Sequence, residues 1–428
     1  MGKRRSRLSE RRRALGLTQE ALAARCDVER TTVARWETGF MEPGLWVRAR
    51  LADALQVTLK DLDDLLALGP GKDAAVVEVL PDGQERNEAH LLLSHLASVA
   101  MAPDQGADPA WAEPVDRLTA SAPAQIGMVD VEHVQALTAA MRTVDYAHGG
   151  GACRDAISAQ VRWSQQLLAA DATDETRRHL LVALADLHNL AGWASFDVGM
   201  FSTARRHFAR ALEQARHAGD DSLAANILYR LGRLHLHRGL SKEALRFFQL
   251  GQLVAQDSCG VTDSMLWANM AWAYAYLGDR IKMGHAVSAA NEAFGAADHD
   301  QAASWVRFFG EMDLHAVTGA ALTSLPDPKG QEMERAIELV STTVGLRGPE
   351  MARSRTFEHI SLAVAHLRIG AHDEGIDYGH QAIDGAASVR SVRTIDRLEP
   401  LRVEAAAQPS RVGADDLAQR ITELQPAV

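Results

Sequence analysis

Three glycines, Gly199, Gly239 and Gly278, recur at spacings of 40 and 39 residues, and each stands between two amphipathic helical stretches. A period of this length constrains the chain more than any other feature. One helix pair cannot bury its own apolar face and must stack against the next. The first two copies, DVGMFSTARRHFARAL and HRGLSKEALRFFQLG, agree in further detail. An alanine follows each glycine by five positions (Ala204, Ala244), and a phenylalanine stands four beyond it (Phe208, Phe248). A small residue there lets two helices approach closely, and the aromatic fills the gap to the neighbouring pair.

More degenerate copies extend the pattern. Gly370 is the turn in AVAHLRIGAHDEGIDYGHQAI. Ala303 to His315 and Gln331 to Val344 are expected to form another pair, joined by a long loop around Pro326 and Pro328. Val131 to Tyr146 and Ala152 to Ala169 are expected as an earlier pair around a flexible turn, Gly149-Gly150-Gly151. Five or six pairs in register make an α-solenoid. The pattern resembles tetratricopeptide repeats, with a loop slightly longer than their period of about 34 residues allows. In such a solenoid the first helix of each pair forms the concave face. Counting back from the turn glycines puts Asn189, Trp193 and Phe196, then Asn226, Tyr229 and Arg233, then Asn269, Trp272 and Tyr276 on that face. Asparagine amides bond an extended backbone and aromatics make side-chain pockets, so these nine are the candidate ligand-binding residues. The competing reading makes the aromatics inter-helix core and leaves the asparagines at solvent.

Charge divides the chain. Its net is −11 over 428 residues, yet residues 1–70 hold 13 Lys+Arg against 10 Asp+Glu, a net of +3, which leaves −14 for residues 71–428. Residues 3–13 alone carry seven cations and one acid, Glu10. A polyanion partner at this end is the natural implication, with a body too acidic to bind nucleic acid itself. Cys26, Cys153 and Cys259 are far apart and form no CxxC, which excludes a zinc ribbon and fits a reducing compartment. The N-terminus lacks an apolar signal core, and no run of the ~18 apolar residues of a membrane helix occurs. Neither a membrane partner nor a signal peptide is expected, and a cytoplasmic location is.

The basic end contains Leu17 to Gly39, LTQEALAARCDVERTTVARWETG. Thr18 can cap a short helix whose inner side is Leu22 and Ala23. Cys26-Asp27-Val28 makes a turn with Val28 as its inward plug. A second helix opens at Glu29 or Arg30, buries Val33 and Trp36, and stops at Gly39. Thr58 to Asp61 has the spacing of a capping box for a fifth helix. Two helices about a tight turn is the plan that places a helix in the DNA major groove. About residues 7 to 66 resemble the lambda-repressor-like (Xre-type) helix-turn-helix family, through Leu17, Thr18, Gln19, Glu20, Leu22, Ala23, Val28, Val33, Glu37 and Gly39, then Pro43, Leu51, Ala52, Leu55 and Val57. Asp27 departs from the glycine usual in that turn. The resemblance implies base contacts by Arg30, Thr31 and Arg35, phosphate contacts by Thr32, Arg48 and the arm containing Arg4 and Arg5, and a phosphate or bracing role for Gln19. It also implies a homodimer on a double-stranded operator, because one such domain reads few base pairs.

The expected organisation is all-α: a five-helix DNA-binding domain over 1–68, a linker with local structure over 69–128, and a helical-repeat sensor and dimerisation body over 129–428. In the linker, Val76 to Leu80 reads as a short strand and Asn87 to Met101 as a helix. His235-Leu236-His237 is no metal pair, since positions two apart face different ways on a helix. Asp298-His299-Asp300 reads as surface, and Gly149–Gly151 lacks the Lys-Ser/Thr of a phosphate loop. With no triad or paired carboxylates, neither an enzyme nor a cofactor is expected. A helix-turn-helix ahead of such repeats is similar to Gram-positive peptide-pheromone receptors and to two-part regulators of actinobacteria. The resemblance implies a transcription regulator whose repeats bind a peptide or small-molecule signal that resets the dimer. An interaction adaptor, docking a protein constitutively, is the alternative.

Overall fold

The computed structural model describes residues 6–66, apart from 27, 29, 39–42 and 44, and residues 123–424, apart from 256–258 and 409–412. The described residues form helices and no strand; one isolated bridge joins Gln125 to Asp171. The architecture is therefore all-α, as expected. The strand at Val76–Leu80, the helix at Asn87–Met101, Gly39 as a stop, and Arg4 and Arg5 lie outside the described residues.

Five short helices come first: α1 (Ser6–Ala14), α2 (Gln19–Cys26), α3 (Arg30–Thr38), α4 (Leu45–Ala54) and α5 (Leu59–Leu66). Their caps are those the sequence specifies. Thr18 Oγ1 accepts from the Ala21 amide at 3.0 Å. Asp61 N–H donates to Thr58 Oγ1 at 3.1 Å, while the Asp61 carboxylate accepts from the Thr58 amide at 3.3 Å. Leu22, Val33, Trp36, Leu51 and Leu62 form one apolar core, with Val28 packed half-buried against it.

The repeat body contains α6 (Met128–His148), α7 (Arg154–Gln166), α8 (Asp174–Asp197), α9 (Phe201–Ala218), α10 (Asp221–His237), α11 (Ser241–Val254), α12 (Gly260–Tyr276), α13 (Arg280–Ala296), α14 (Glu311–Thr323), α15 (Gly330–Val344), α16 (Ala352–Arg368) and α17 (His372–Ser388). After these six pairs come a short α18 (Val392–Asp396), then α19 (Glu399–Ala406) and α20 (Ala414–Glu423). The turn glycines Gly199, Gly239, Gly278 and Gly370 have φ of +79°, +75°, +73° and +84°, a region open to glycine without steric cost. The repeated phenylalanines pack on glycines one helix back. A Cβ on Gly192 would lie 2.7 Å from the Phe208 ring, and Phe248 crowds Gly232 in the same way.

Two expectations are corrected. The chain over 302–310 is turn and loop, not helix. Helix α14 starts only at Glu311, where the Asp313 carboxylate accepts from the Gly310 amide at 3.2 Å. The apolar spacing of Trp305, Phe308 and Phe309 reflects their insertion into the body. Nor is Gly149–Gly151 a loose turn. A Cβ would lie 2.7 Å from the Arg390 carbonyl oxygen at Gly149 and 2.6 Å from the Ala194 oxygen at Gly150. The Gly151 amide donates to the Arg390 carbonyl, and the Arg390 amide to the His148 carbonyl, both at 3.0 Å.

That backbone clasp closes the body. The first helices α6, α8, α10, α12, α14 and α16 touch in succession, and α16 returns to α6, while α18 lies against α8 and α16. Beneath the clasp, Arg353 of α16 donates to Asp145 at 2.8 Å and to Asp197 at 3.0 Å. Arg393 of α18 and the Gly150 amide each donate to Asp197 at 2.9 Å. Burial raises the Asp197 pKa, but Arg353 and Arg393 outweigh it and hold the group below its ordinary value.

Candidate functional site

At the basic end, helix α3 is braced from behind by a chain of charged bonds. Arg12 Nε donates to Glu37 Oε1 at 2.5 Å and Arg12 Nη1 to the Leu17 carbonyl at 2.7 Å, both buried. Gln19 Nε2 donates to the other Glu37 oxygen at 2.7 Å, and Arg30 Nη1 reaches Gln19 Oε1 at 3.4 Å. Gln19 is thus placed to brace the helix. Arg30 stays at the surface, its side chain 55 % exposed beside Glu20 at 3.4 Å, a pair that solvent screens heavily. Thr32 is half-buried, and the side chains of Thr31 and Arg35 lie outside the described set.

The basic run is smaller than its count implies. Arg12 is taken by Glu37, and Arg11 donates to the Leu55 and Gln56 carbonyls at 2.9 Å, closing the end of α4. Arg7 and Arg13 remain exposed. Arg48, expected as a phosphate contact, is only 4 % exposed, so it packs inside the domain and leaves the candidate surface.

The second site is a cavity of about 130 Å³ inside the ring of first helices. Of the nine residues expected on the concave face, Trp193, Tyr229, Arg233 and Trp272 line it. Asn189, Asn226 and Asn269 do not; all three are 0 % exposed. Asn189 Nδ2 donates to Asn226 Oδ1 at 2.9 Å, Asn226 Nδ2 to the Trp305 carbonyl at 3.2 Å, and Arg233 to Asn269 Oδ1 at 2.9 Å. The amides therefore serve the body itself, and the inserted 302–310 segment occupies the Asn226 donor. Phe196 is buried behind Trp193 in edge contact, and Tyr276, 42 % exposed, stacks on Trp272 outside the cavity.

Sequence reasoning missed most of the rest of the wall, including Tyr146 of α6, Arg230 of α10, Phe308, Asp313 of α14, Arg347, then Arg353, Phe357 and Glu358 of α16, and Arg393 and Arg397 at α18. Arg393 and Arg397 stand four apart, so a basic pair on one helical face was readable, but no periodicity marks so short a helix. The guanidiniums are held on ring faces. Arg230 and Arg393 lie over Trp193 at 5.1 and 4.6 Å, and Arg233 and Arg397 over Trp272, both at 4.6 Å. Phe357 adds contacts to Arg393 at 5.2 Å and Arg397 at 4.1 Å. Such contacts are worth about 0.5–2 kcal/mol each, more where water is excluded.

His235 and His237 diverge as their spacing requires: one bonds the Leu231 carbonyl at 2.8 Å, the other Asp396 at 3.2 Å. Among the described residues no three His, Cys, Asp or Glu are grouped to hold a metal, and no helix is long and apolar enough to cross a membrane. Burial pushes the Cys26 thiol up to about 11 and Cys153 to about 12, which leaves both unreactive near neutral pH.

Comparison with known families matches residues 8–62 to the family described as helix-turn-helix and residues 182–251 to the tetratricopeptide repeat. No curated protein matches the chain.

Proposed function

For a chain that joins a helix-turn-helix domain to tetratricopeptide repeats, we propose a sequence-specific DNA-binding transcription regulator whose repeat body receives a chemical signal. We place its divisions at 1–68, 69–128 and 129–428; among the described residues, separate apolar cores over Leu8–Leu66 and from Ile126 onward support them. The observation that carries the sensor half is the cavity, walled by side chains from all six first helices. Adaptor repeats need only an outer docking face, whereas an aromatic, arginine-lined interior is the form of a ligand site. The buried asparagines and the inserted Trp305–Phe309 segment favour a compact ligand over an extended peptide. Ligand binding acts by preferring one arrangement of a homodimer, whose two reading helices then fit or miss the operator. The adaptor remains the second reading, favoured by an exposed apolar stripe on α6 through Val129, Leu137 and Val144.

Genome-wide mapping of bound DNA tests the regulator and supplies the operator. On that operator, Arg30→Ala and Arg35→Ala are each expected to lose discrimination at one base position by about 1–3 kcal/mol. Uniform weakening across all sequences would make them phosphate contacts. Absence of discrete bound sites would overturn the regulator reading.

A further inference from the structure

The charges around the cavity do not balance. Arg347 meets Asp313 and Glu358; Arg353 meets Asp145 and Asp197, and Arg393 shares Asp197. Among the described residues, Arg230, Arg233 and Arg397 have no carboxylate at ion-pair distance. Arg230 donates to the Asn189 carbonyl at 3.0 Å and Arg233 to the Asn269 amide oxygen at 2.9 Å. Among the described residues, the Arg397 guanidinium meets the faces of Trp272 and Phe357. Asp396, on the same short helix, is taken by His237 at 3.2 Å.

Three cations facing one cavity, Arg230 buried and Arg233 and Arg397 half-buried, cost free energy that stacking offsets only in part. Burial, then the neighbouring Arg233, pulls Arg397 down to about 9. Stacking grips a guanidinium by its face and leaves its in-plane N–H donors free for an oxyanion, which they match in geometry. In the same lining, Tyr229 and Phe308 stand with ring centroids 6.2 Å apart and form an apolar wall. The volume, about 130 Å³, is close to the roughly 150 Å³ that accommodates a benzene ring.

We propose that this cavity binds a small organic oxyanion, its carboxylate or phosphate bonded by Arg230, Arg233 and Arg397 and its aromatic or apolar body against Tyr229 and Phe308. The proposal rests on the sensor reading above and names the chemical class of its ligand. An acidic body that nonetheless keeps three unpaired arginines together supports it, since an internal acid in their place would have relieved the cost without a ligand.

Titration calorimetry on the full chain tests it with phenylacetate, phenyl phosphate and neutral phenylacetamide. At least one anion is expected to bind and raise the thermal midpoint, with the amide weaker by about tenfold or more, and the better anion identifies the oxyanion. Equal binding of the amide, or no binding by either anion, overturns the proposal. Arg397→Gln is expected to raise the midpoint of the free protein by removing repulsion, and to weaken the anion by about tenfold or more. A lowered midpoint with undiminished anion binding would make Arg397 a packing residue and overturn its role. Arg233→Gln provides the second variant with the same expected loss of affinity. Operator binding is measured separately: its loss overturns the regulator, whereas failed anion binding on an intact operator binder overturns this proposal alone.

Discussion

His188 and His207 meet Nδ1 to Nδ1 at 2.9 Å in the buried body, so one ring must donate and the other accept. The Gln165 amide nitrogen lies 2.6 Å from His188 Nε2; with that amide donating, the His188 proton sits on Nδ1 and points at His207. Protonating His207 would set two donors against each other. Burial lowers both groups, His188 well below its ordinary value and His207 to about 4. The folded pKa is depressed, so the unfolded chain takes up protons first as pH falls. Stability is fully present above about 6.5 and is lost as pH falls toward about 4, by about 3 kcal/mol for His207 alone. Urea unfolding at about pH 7 and about pH 4.5 should show that loss, and His207→Gln should reduce the pH dependence while leaving the share due to the buried His188. The asparagines teach the same lesson from the other side. Their register on the first helices was legible, but whether an amide faces a ligand or another amide depends on which residue a distant segment brings opposite it.

Among the elements, the helix pair was the most legible, because its period and its caps are local properties. The glycine–phenylalanine contact repeats with it: Gly192 under Phe208 and Gly232 under Phe248, both 40 residues apart. Gly232→Ala should destabilise the body by about 1–3 kcal/mol through overpacking against Phe248, as measured by chemical denaturation. Phe248→Leu in the same chain should recover much of it, because the shorter side chain vacates the space a Cβ requires. A non-additive cycle of this kind would establish direct contact between the two; additive losses would refute it. The segment over 302–310 shows where local reading fails. Its aromatics have helix-like spacing, yet Gly310 and the Asp313 cap start the helix only afterwards.

At the scale of the whole molecule, the row of first helices is held shut by few groups. Arg353 joins α16 to Asp145 of α6 and Asp197 of α8, across 208 and 156 residues of sequence. Arg353→Met would leave the buried Asp145 carboxylate without its guanidinium, while Asp197 keeps Arg393, and should cost about 3–5 kcal/mol. Urea denaturation measures that cost, and small-angle scattering should show the body expanding as α16 leaves α6. Unchanged stability and dimensions would mean that the glycine clasp closes the body alone.

Sequence by itself determined the helices, their pairing, the turn glycines and the braced reading helix, because capping, periodicity and close packing act over a few residues or one repeat. Only the tertiary structure decided that the row closes and that six arginines line its interior. It also decided that Arg11, Arg12 and Arg48 of the basic end are taken up within their own domain. The reason is physical: a charged side chain carries the same signature in sequence whether it meets solvent, a buried carboxylate or an aromatic face. Which of these it meets is set by contacts between residues far apart in the chain.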